Sequence, residues 1–452
     1  MKISLEDTIA AIATPGGVGA LAIIRVSGNR AIECVDNIFS GKTSLKKSPT
    51  HTIHYGKIFE DNQSLIDDVM VSVFHRPHSF TGENSVEITT HGNPLITQKI
   101  LSKLVKNGTR LAEPGEFTKR AYLNGRMDLT QAEAVQDIIT SRTEASLKGA
   151  RNQLNGFLSK RVNSFREALI HMASLLELEL DFVEEDISFT SPKEMDVKIS
   201  GILDEIRTMC DSYAFGRVMK EGIHVALVGL PNTGKSSLLN YFLKENRAIV
   251  SDIPGTTRDT IQEELQYGGL LFHLSDTAGI RQAQDLIEEE GITRSNQAIR
   301  DADLVLFLFD AQSGFSEELY HHVQDLTDEI RMIRVMNKVD LKLECDSARD
   351  IDVSALTGDG MNELLEILKS RAISIHPYTE KSIVVTNIRH FHALEKSKTC
   401  LERARQSLEE QLSQEFIAMD LREAIQELDE IIGIVTTDDV LNNIFSKFCI
   451  GK

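Results

Sequence analysis

The pattern of apolar and polar positions changes character three times along the chain. In residues 1–122, short runs rich in β-branched side chains (ALAIIRVSG, HTIHYGKIF, IDDVMVSVF and SVEITTHG) are bounded by Gly, Pro, Asn or Asp, as strands between turns are. The stretch PLITQKILSKLVKNG has helical spacing and ends on Gly108, in the manner of a helix C-terminus. An α+β domain is the expectation here. From about 129 to 185 turn signals almost vanish and apolar residues recur at helical spacing, until the acidic DFVEED and Ser191-Pro192. A further helix over MDVKISGILDEIRTMCDSYAFG leads into the strand IHVALVG. Then LLFHLSD, DADLVLFLFD, IRMIRVMNKVD and DIDVSAL alternate with helical stretches, which predicts the buried strands of a parallel α/β sheet. After about 375 the spacing is helical again, through HFHALEKSKTCLERARQSLEE, EFIAMDLREAIQELDEIIG and TTDDVLNNIFSKF.

The economical organisation is an N-terminal α+β domain (1–122) and one all-α helical domain built from two flanks (123–216 and 376–452). An α/β unit (217–375) is then inserted between the flanks. Two separate helical domains are the alternative. A chain of 452 residues with 41% hydrophobic and 26% charged positions has the length for two to four units and the composition of a globular protein. No apolar run approaches a bilayer span, and Glu6 and Asp7 interrupt the N-terminal apolar stretch, so a cytoplasmic location without membrane contact is expected. Five scattered cysteines without a C-x-x-C pair argue against a disulfide framework and a structural zinc site. Four of them read as small buried hydrophobes.

A net charge of −19 makes the chain a poor candidate for non-specific wrapping of nucleic acid, which needs clustered Lys and Arg. Any such contact requires a partner or a local basic face. Arg142, Lys148, Arg151, Lys160, Arg161 and Arg166 could form one, although they read more simply as solvated helix positions.

The chemistry sits in the α/β unit. GLPNTGKS at 229–236 follows a strand and opens a helix, as a phosphate-binding loop must. Backbone N–H groups and the helix N-terminus would cradle phosphates around Asn232, Thr233, Gly234, Lys235, Ser236 and Ser237. Lys235 would bridge the β- and γ-phosphates, and the Ser236 hydroxyl would bind Mg²⁺. DTAG follows in order, with Asp276 supporting the magnesium shell, Thr277 and Ala278 behind it, and the Gly279 N–H sensing the γ-phosphate. NKVD then supplies Asn337, Lys338 and Asp340. The Asp340 carboxylate can accept from N1 and the 2-amino group of guanine, a donor pair that adenine lacks, so the site selects GTP. Ser354, Ala355 and Leu356 offer a backbone N–H to the guanine oxygen. The unit is therefore expected to be a Ras-like G domain, with a parallel-rich sheet and helices on both faces. Ile280 stands where Ras-like proteins carry the water-orienting Gln, so another group must take that role. Asn232 is a candidate ligand for a monovalent cation, or a residue that shapes the loop. The switch segment SDIPGTTRD brings Ser251, Asp252, Ile253, Pro254, Gly255, Thr256 and Thr257 toward the nucleotide, and one of the threonines would complete the Mg²⁺ shell.

IPGTTRD, DTAG followed by Ile280-Arg281, and the terminal FCIGK resemble the MnmE (TrmE) family of tRNA-modification GTPases. So do ATPGGVGALAIIRVSG, SFTGENSVEITTHG and PGEFTKRAYLNGRMDL, which spreads the resemblance over the whole chain. The resemblance implies a homodimer whose G domains associate when potassium and GTP are present. It also implies a tetrahydrofolate one-carbon carrier (5-formyl or 5,10-methylene) on the N-terminal domain. The FAD-bearing partner MnmG would join in adding an aminomethyl or carboxymethylaminomethyl group to carbon 5 of the wobble uridine of tRNA. On that basis potassium is held by Asn232, Ser251, Ile253 and Thr256, and Mg²⁺ by Ser236 and Thr257. The water-orienting role falls to Glu288, with Glu289 and Glu290 as neighbours. The folate contacts are Arg25, Glu87, Arg126 and Lys452, Arg126 standing where some members have Lys. Cys449 becomes a catalytic thiol near the folate; the alternative is an exposed tail cysteine without a role. A regulatory GTPase switch, such as one for ribosome assembly, is the competing function, because many functions share one nucleotide site.

Overall fold

Buried and exposed positions alternate with period two along Leu65–Phe74, which makes that segment a strand with one face on a core. The same arrangement recurs through the N-terminal block of the computed structural model, which describes residues 7–181, 191–246, 262–276, 288–343, 346–375 and 383–452. The chain forms two compact units. One comprises Met1–Thr140, Ala150–Ser191 and Gln406–Lys452, and the other Ser141–Gly149 and Pro192–Arg405.

The first unit opens with β1 (Ile9–Ile12), β2 (Gly19–Ser27), α1 (Ala31–Asp36), β3 (Phe39–Gly41), β4 (Thr52–Phe59), β5 (Leu65–Phe74), β6 (Ser85–Gly92), α2 (Pro94–Lys106), β7 (Arg110–Leu111) and α3 (Glu116–Leu123). Its sheet has the order β3-β4-β5-β6-β2-β1-β7, and β1 runs parallel to β7. Ile24, Val26, Val71, Val86 and Ile88 of the inner face pack on Ala31 and Val35 of α1 and on Ile100 and Leu104 of α2. Each such Val, Ile or Leu side chain contributes about 1.5–3 kcal/mol on burial. α2 starts where its sequence says it should: the Asn93 side chain accepts from Leu95 N at 2.8 Å, and Pro94 occupies the first turn. β1 and α3 were not evident from the pattern, because a four-residue strand and an eight-residue helix carry too little periodicity.

The turn-poor stretch resolves into α4 (Leu129–Thr140), α5 (Glu144–Leu154) and α6 (Phe157–Asp181). The first break is a reciprocal cap, in which Ser146 N donates to Thr143 Oγ1 (3.1 Å) and Thr143 N to Ser146 Oγ (3.2 Å). The second falls at Asn155-Gly156.

The second unit continues with α7 (Pro192–Asp211), α8 (Tyr213–Glu221), β8 (Ile223–Gly229), α9 (Lys235–Asn246), β9 (Gln262–Tyr267), β10 (Leu270–Asp276), α10 (Glu288–Asp301), β11 (Leu304–Asp310), α11 (Glu317–Gln324), β12 (Met332–Asn337), β13 (Ile351–Asp352), α12 (Met361–Ile375) and α13 (Ile388–Glu409). Its sheet runs β13-β12-β11-β8-β10-β9 and is parallel except for β9, which pairs antiparallel with β10. One face packs on Leu238 and Phe242 of α9 and on Leu364, Leu365 and Leu368 of α12. The other packs on Ile299 of α10 and on Tyr320 and Val323 of α11. Burial on both faces explains why β11 reads as an unbroken apolar run. β9 escaped the sequence pattern because QEELQY is an edge strand with a charged face. α8 is tied to the sheet by Arg217 to Asp303 (2.5 Å), and Tyr213 stacks on Phe391 of α13 with centroids 4.5 Å apart.

The chain returns to the first unit with α14 (Gln414–Ile432) and α15 (Asp438–Ser446). α14 lies antiparallel along α6, through Glu179–Gln414, Glu177–Arg422 and Arg166–Asp429. Phe445 and Phe448 pack with Leu129 and Ala132 of α4. Among the described residues no helix is long and apolar enough to cross a membrane. Arg166 pairs with Asp429 and Arg142 with Glu264, so the basic helix positions do not stand as one free face.

Candidate nucleotide site and a second charged site

β8 occupies the middle of the parallel sheet, and its carboxyl end delivers the loop 229–236 to the N-terminus of α9. This is where an open α/β sheet binds ligands, outside the ends of its strands. Thr233 is fully buried and its hydroxyl donates to Leu230 O at 2.9 Å. Lys235 is also buried, with Nζ donating to Gly229 O (2.7 Å) and Leu230 O (2.9 Å). Gly234 has φ +93°, and a Cβ there would meet Asn337 Nδ2 at 2.2 Å, so the position admits only glycine. Asn232 takes the left-handed conformation at φ +66°, which asparagine tolerates, and so shapes the loop. Ser236 Oγ donates to Asp276 Oδ2 at 3.4 Å, which brings the two proposed magnesium-shell residues together. Ser237 lies exposed on α9.

The residues expected to read the base meet this loop through Asn337. Its Nδ2 donates to Thr233 O (2.9 Å) and its Oδ1 accepts from Ala355 N (3.1 Å), so one buried side chain joins the phosphate loop to the loop after β13. Lys338 is left-handed at φ +63° and opens a short turn that carries Asp340. Asp340 Oδ1 accepts from the buried Ser354 hydroxyl at 2.6 Å. Leu356 is 84% exposed.

Sequence reasoning missed Asp310, the fully buried last residue of β11. It accepts from Lys338 Nζ (2.9 Å), Gln312 N (2.8 Å) and Ser313 N (2.7 Å). Burial pushes its carboxyl up, but the Lys338 ammonium and the two N–H groups outweigh burial and hold it below the usual range. A lone Asp closing the run LVLFLFD was the available signal.

Several expected positions lie outside the described residues: Ser251, Asp252, Ile253, Pro254, Gly255, Thr256, Thr257, Thr277, Ala278, Gly279 and Ile280. Glu288 is the first residue of α10, and its side chain lies outside them too.

A second site forms in the first unit. Arg25 and Glu87 are directly opposed on β2 and β6, with Nη2 to Oε1 at 2.8 Å and Nε to Oε1 at 2.9 Å. The guanidinium also lies over the rings of Phe80 (5.5 Å) and Phe117 (5.7 Å), and its Nη1 donates to Gly451 O at 3.3 Å. Phe117 N donates to Lys452 O at 3.2 Å. The tail fits because Gly451 has φ +94°, and a Cβ there would meet Ile12 O at 2.5 Å. Burial lowers the Lys452 ammonium below its usual range and the Arg25 charge adds to this, with Glu87 and Cys449 opposing. Arg25, Glu87, Lys452 and Cys449 are thus gathered, and Cys449 is exposed while Cys34, Cys210 and Cys400 are buried. Arg126 lines a pocket of about 360 Å³ with His51, Phe74, His78, Ser79 and Phe80, and Phe80 is shared with Arg25.

Beneath this site lies a buried charge network that the sequence pattern did not reveal. Arg120 is fully buried and donates to Glu116 Oε1 (2.9 Å), Glu83 Oε1 (3.1 Å) and Asp7 O (2.8 Å). Glu116 also accepts from Arg110 (2.8 Å) and Glu113 N (2.9 Å), and Glu83 from Ser27 (2.8 Å). The stretches SFTGEN and PGEFTKR therefore hold the backbone around Arg25 in place.

Residues 8–126 match the family model of the GTP-binding protein TrmE N-terminus, and residues 129–449 match the MnmE helical domain. The tRNA modification GTPase MnmE of Chlorobaculum tepidum is 41% identical over 460 residues, covering 98% of this chain and 97% of the relative. That of Protochlamydia amoebophila is 42% identical over 453 residues, covering 99% and 98%. That of Christiangramia forsetii is 42% identical over 476 residues, covering 100% of both. With the GLPNTGKS and NKVD loops joined through Asn337 and this full-length likeness in one chain, the protein belongs to the tRNA modification GTPase MnmE family.

Proposed function

We propose that the protein couples potassium-dependent GTP hydrolysis to one-carbon chemistry on carbon 5 of the wobble uridine of tRNA. A tetrahydrofolate carrier at the Arg25 site would supply the carbon, and the FAD-bearing protein MnmG would act beside it. The observation that carries this reading is the convergence of Arg25, Glu87 and the tail at Gly451, the last 426 residues from Arg25 in sequence. A folate is an anionic aromatic molecule, and the residues present fit one. Arg25, Arg126 and Lys452 bring positive charge, Glu87 accepts from N–H donors, and Phe80 offers an aromatic wall. Cys449, exposed beside Lys452, would be the thiol that takes part in the carbon chemistry.

At the nucleotide, Ser236 and Thr257 would hold Mg²⁺ with Asp276 supporting them. Asn232, Ser251, Ile253 and Thr256 would hold K⁺, which supplies positive charge where the γ-phosphate reacts. Glu288 would orient the attacking water in place of the absent glutamine. The homodimer reading is supported by Leu21, Ile53, Tyr55 and Met70, exposed apolar side chains on the N-terminal sheet.

The test combines GTP hydrolysis in potassium and sodium, folate binding, and nucleoside analysis of tRNA from cells lacking the protein. Faster hydrolysis in potassium, folate binding and loss of the wobble modification are expected. Equal rates in the two salts remove the cation mechanism, and unchanged wobble uridines overturn the whole reading. Replacing Cys449 with Ser and finding modification intact removes the thiol's role.

A further inference from the structure

The guanine-reading carboxylate of this site depends on a residue that never reaches the base. Asp340 sits in a turn opened by Lys338, whose φ of +63° is a conformation that a side chain with a Cβ adopts at a cost. Something must hold that turn. The Lys338 ammonium is 2.9 Å from Asp310 Oδ2, and Asp310 is itself immobilised by the N–H groups of Gln312 and Ser313 and by the Ser313 hydroxyl (3.2 Å). Asp310 has no solvent exposure, so its charge is directed at Lys338 and at these donors.

The geometry points to Asp310 as the positioning residue for guanine specificity: through the Lys338 ammonium it fixes the turn that aims Asp340 at the base. This rests on the reading of Asp340 as the carboxylate that accepts from guanine. The opposite side of the pocket is already fixed, since Asn337 ties the phosphate loop to Ala355 and Ser354 donates to Asp340. Without Asp310 the turn would keep the Ser354 contact to Asp340 and the backbone bond from Val339 N to Val353 O (3.2 Å), and the carboxylate could swing about them. The nucleotide would still be held by its phosphates, but the base would be read poorly.

The test uses the full-length protein and compares dissociation constants for GDP and for inosine diphosphate, which lacks the 2-amino group. In the parent protein GDP is expected to bind more tightly, because inosine diphosphate lacks one of the two donors that Asp340 would accept from. Asp310→Ala is expected to weaken GDP about tenfold and inosine diphosphate less than threefold, so the ratio between them collapses. Lys338→Met should give the same collapse, and the double variant should add nothing, because both changes remove one connection. A general loss of fold integrity would instead weaken both nucleotides alike. An unchanged ratio in Asp310→Ala, or additive losses in the double variant, overturns the inference. If Asp310→Ala does not fold, the near-isosteric Asp310→Asn decides by the same ratio. Asp340→Ala separates the two levels. If it leaves the ratio intact, the reading of Asp340 fails; if it collapses the ratio while Asp310→Ala does not, only the role of Asp310 fails.

Discussion

In the nucleotide site, the residues expected to hold phosphate are neighbours in the chain, from Gly229 to Ser236, and a strand and a helix aim them. In the Arg25 site the partners come from β2, β6 and the tail, three stretches far apart in sequence. The first site uses backbone N–H groups and needs a glycine where a side chain would collide. The second uses side-chain charge, and rests on a layer of further charge beneath it. A site made from backbone tolerates changes in its surroundings as long as the loop closes. A site made from charged side chains is only as rigid as the network that supports it.

The largest expected effect tests the backbone side of this contrast. Gly234→Ala forces a Cβ against Asn337 Nδ2 and should lower GTP hydrolysis at least about a hundredfold, the scale of losing a positioned donor. Phosphate release measures it, and near-normal turnover would show that the loop has room to adjust.

Arg120→Met tests the charge side. It leaves Glu116 and Glu83 without their buried counter-ion and should cost about 3–5 kcal/mol in the first unit, read as an earlier urea transition. A loss below about 1 kcal/mol would mean that the network is not the support described.

Gly451→Ala should lift the tail from Ile12 and weaken folate binding about tenfold, or about 1.4 kcal/mol. Titration calorimetry with a 5-formyl folate reads it directly. Unaltered affinity would detach the tail from the carrier site.

The mildest effect concerns acid. The ordinary penalty of burial on Glu116 is outweighed by Arg110, Glu113 N–H and Arg120, so its carboxyl titrates below the usual range. Asp310 behaves likewise. A depressed carboxylate contributes stability that is present above its unfolded pKa, about 4, and disappears as pH falls through the folded value. Both units should therefore lose urea resistance below about pH 4. Arg120→Met should flatten that dependence in the first unit alone.

The nucleotide site was legible because its motifs are local: GKS, DTAG, NKVD and the Ser354 loop each identify themselves within a few residues. Asp310 was not, because its meaning comes from Lys338, which directly follows the neighbouring strand β12. The strands of both sheets were visible wherever burial imposed a rhythm or an unbroken apolar run. They were invisible where a strand is short, like β1, or an edge, like β9. The Arg25 site could be named only through family resemblance, since no spacing rule connects Arg25 with Gly451. The buried charges lay in stretches already noted, but their burial depends on the folded sheet.

The tail contacts also set an order of events. Residues 449–452 are synthesised after everything else described here, so Arg25 waits for Gly451 while the phosphate loop has its strands and helices much earlier. A ribosome nearing those codons has already produced the parts of a nucleotide switch, yet the Arg25 site is still missing one wall. Any nascent chain released before them would leave a GTPase without its companion site.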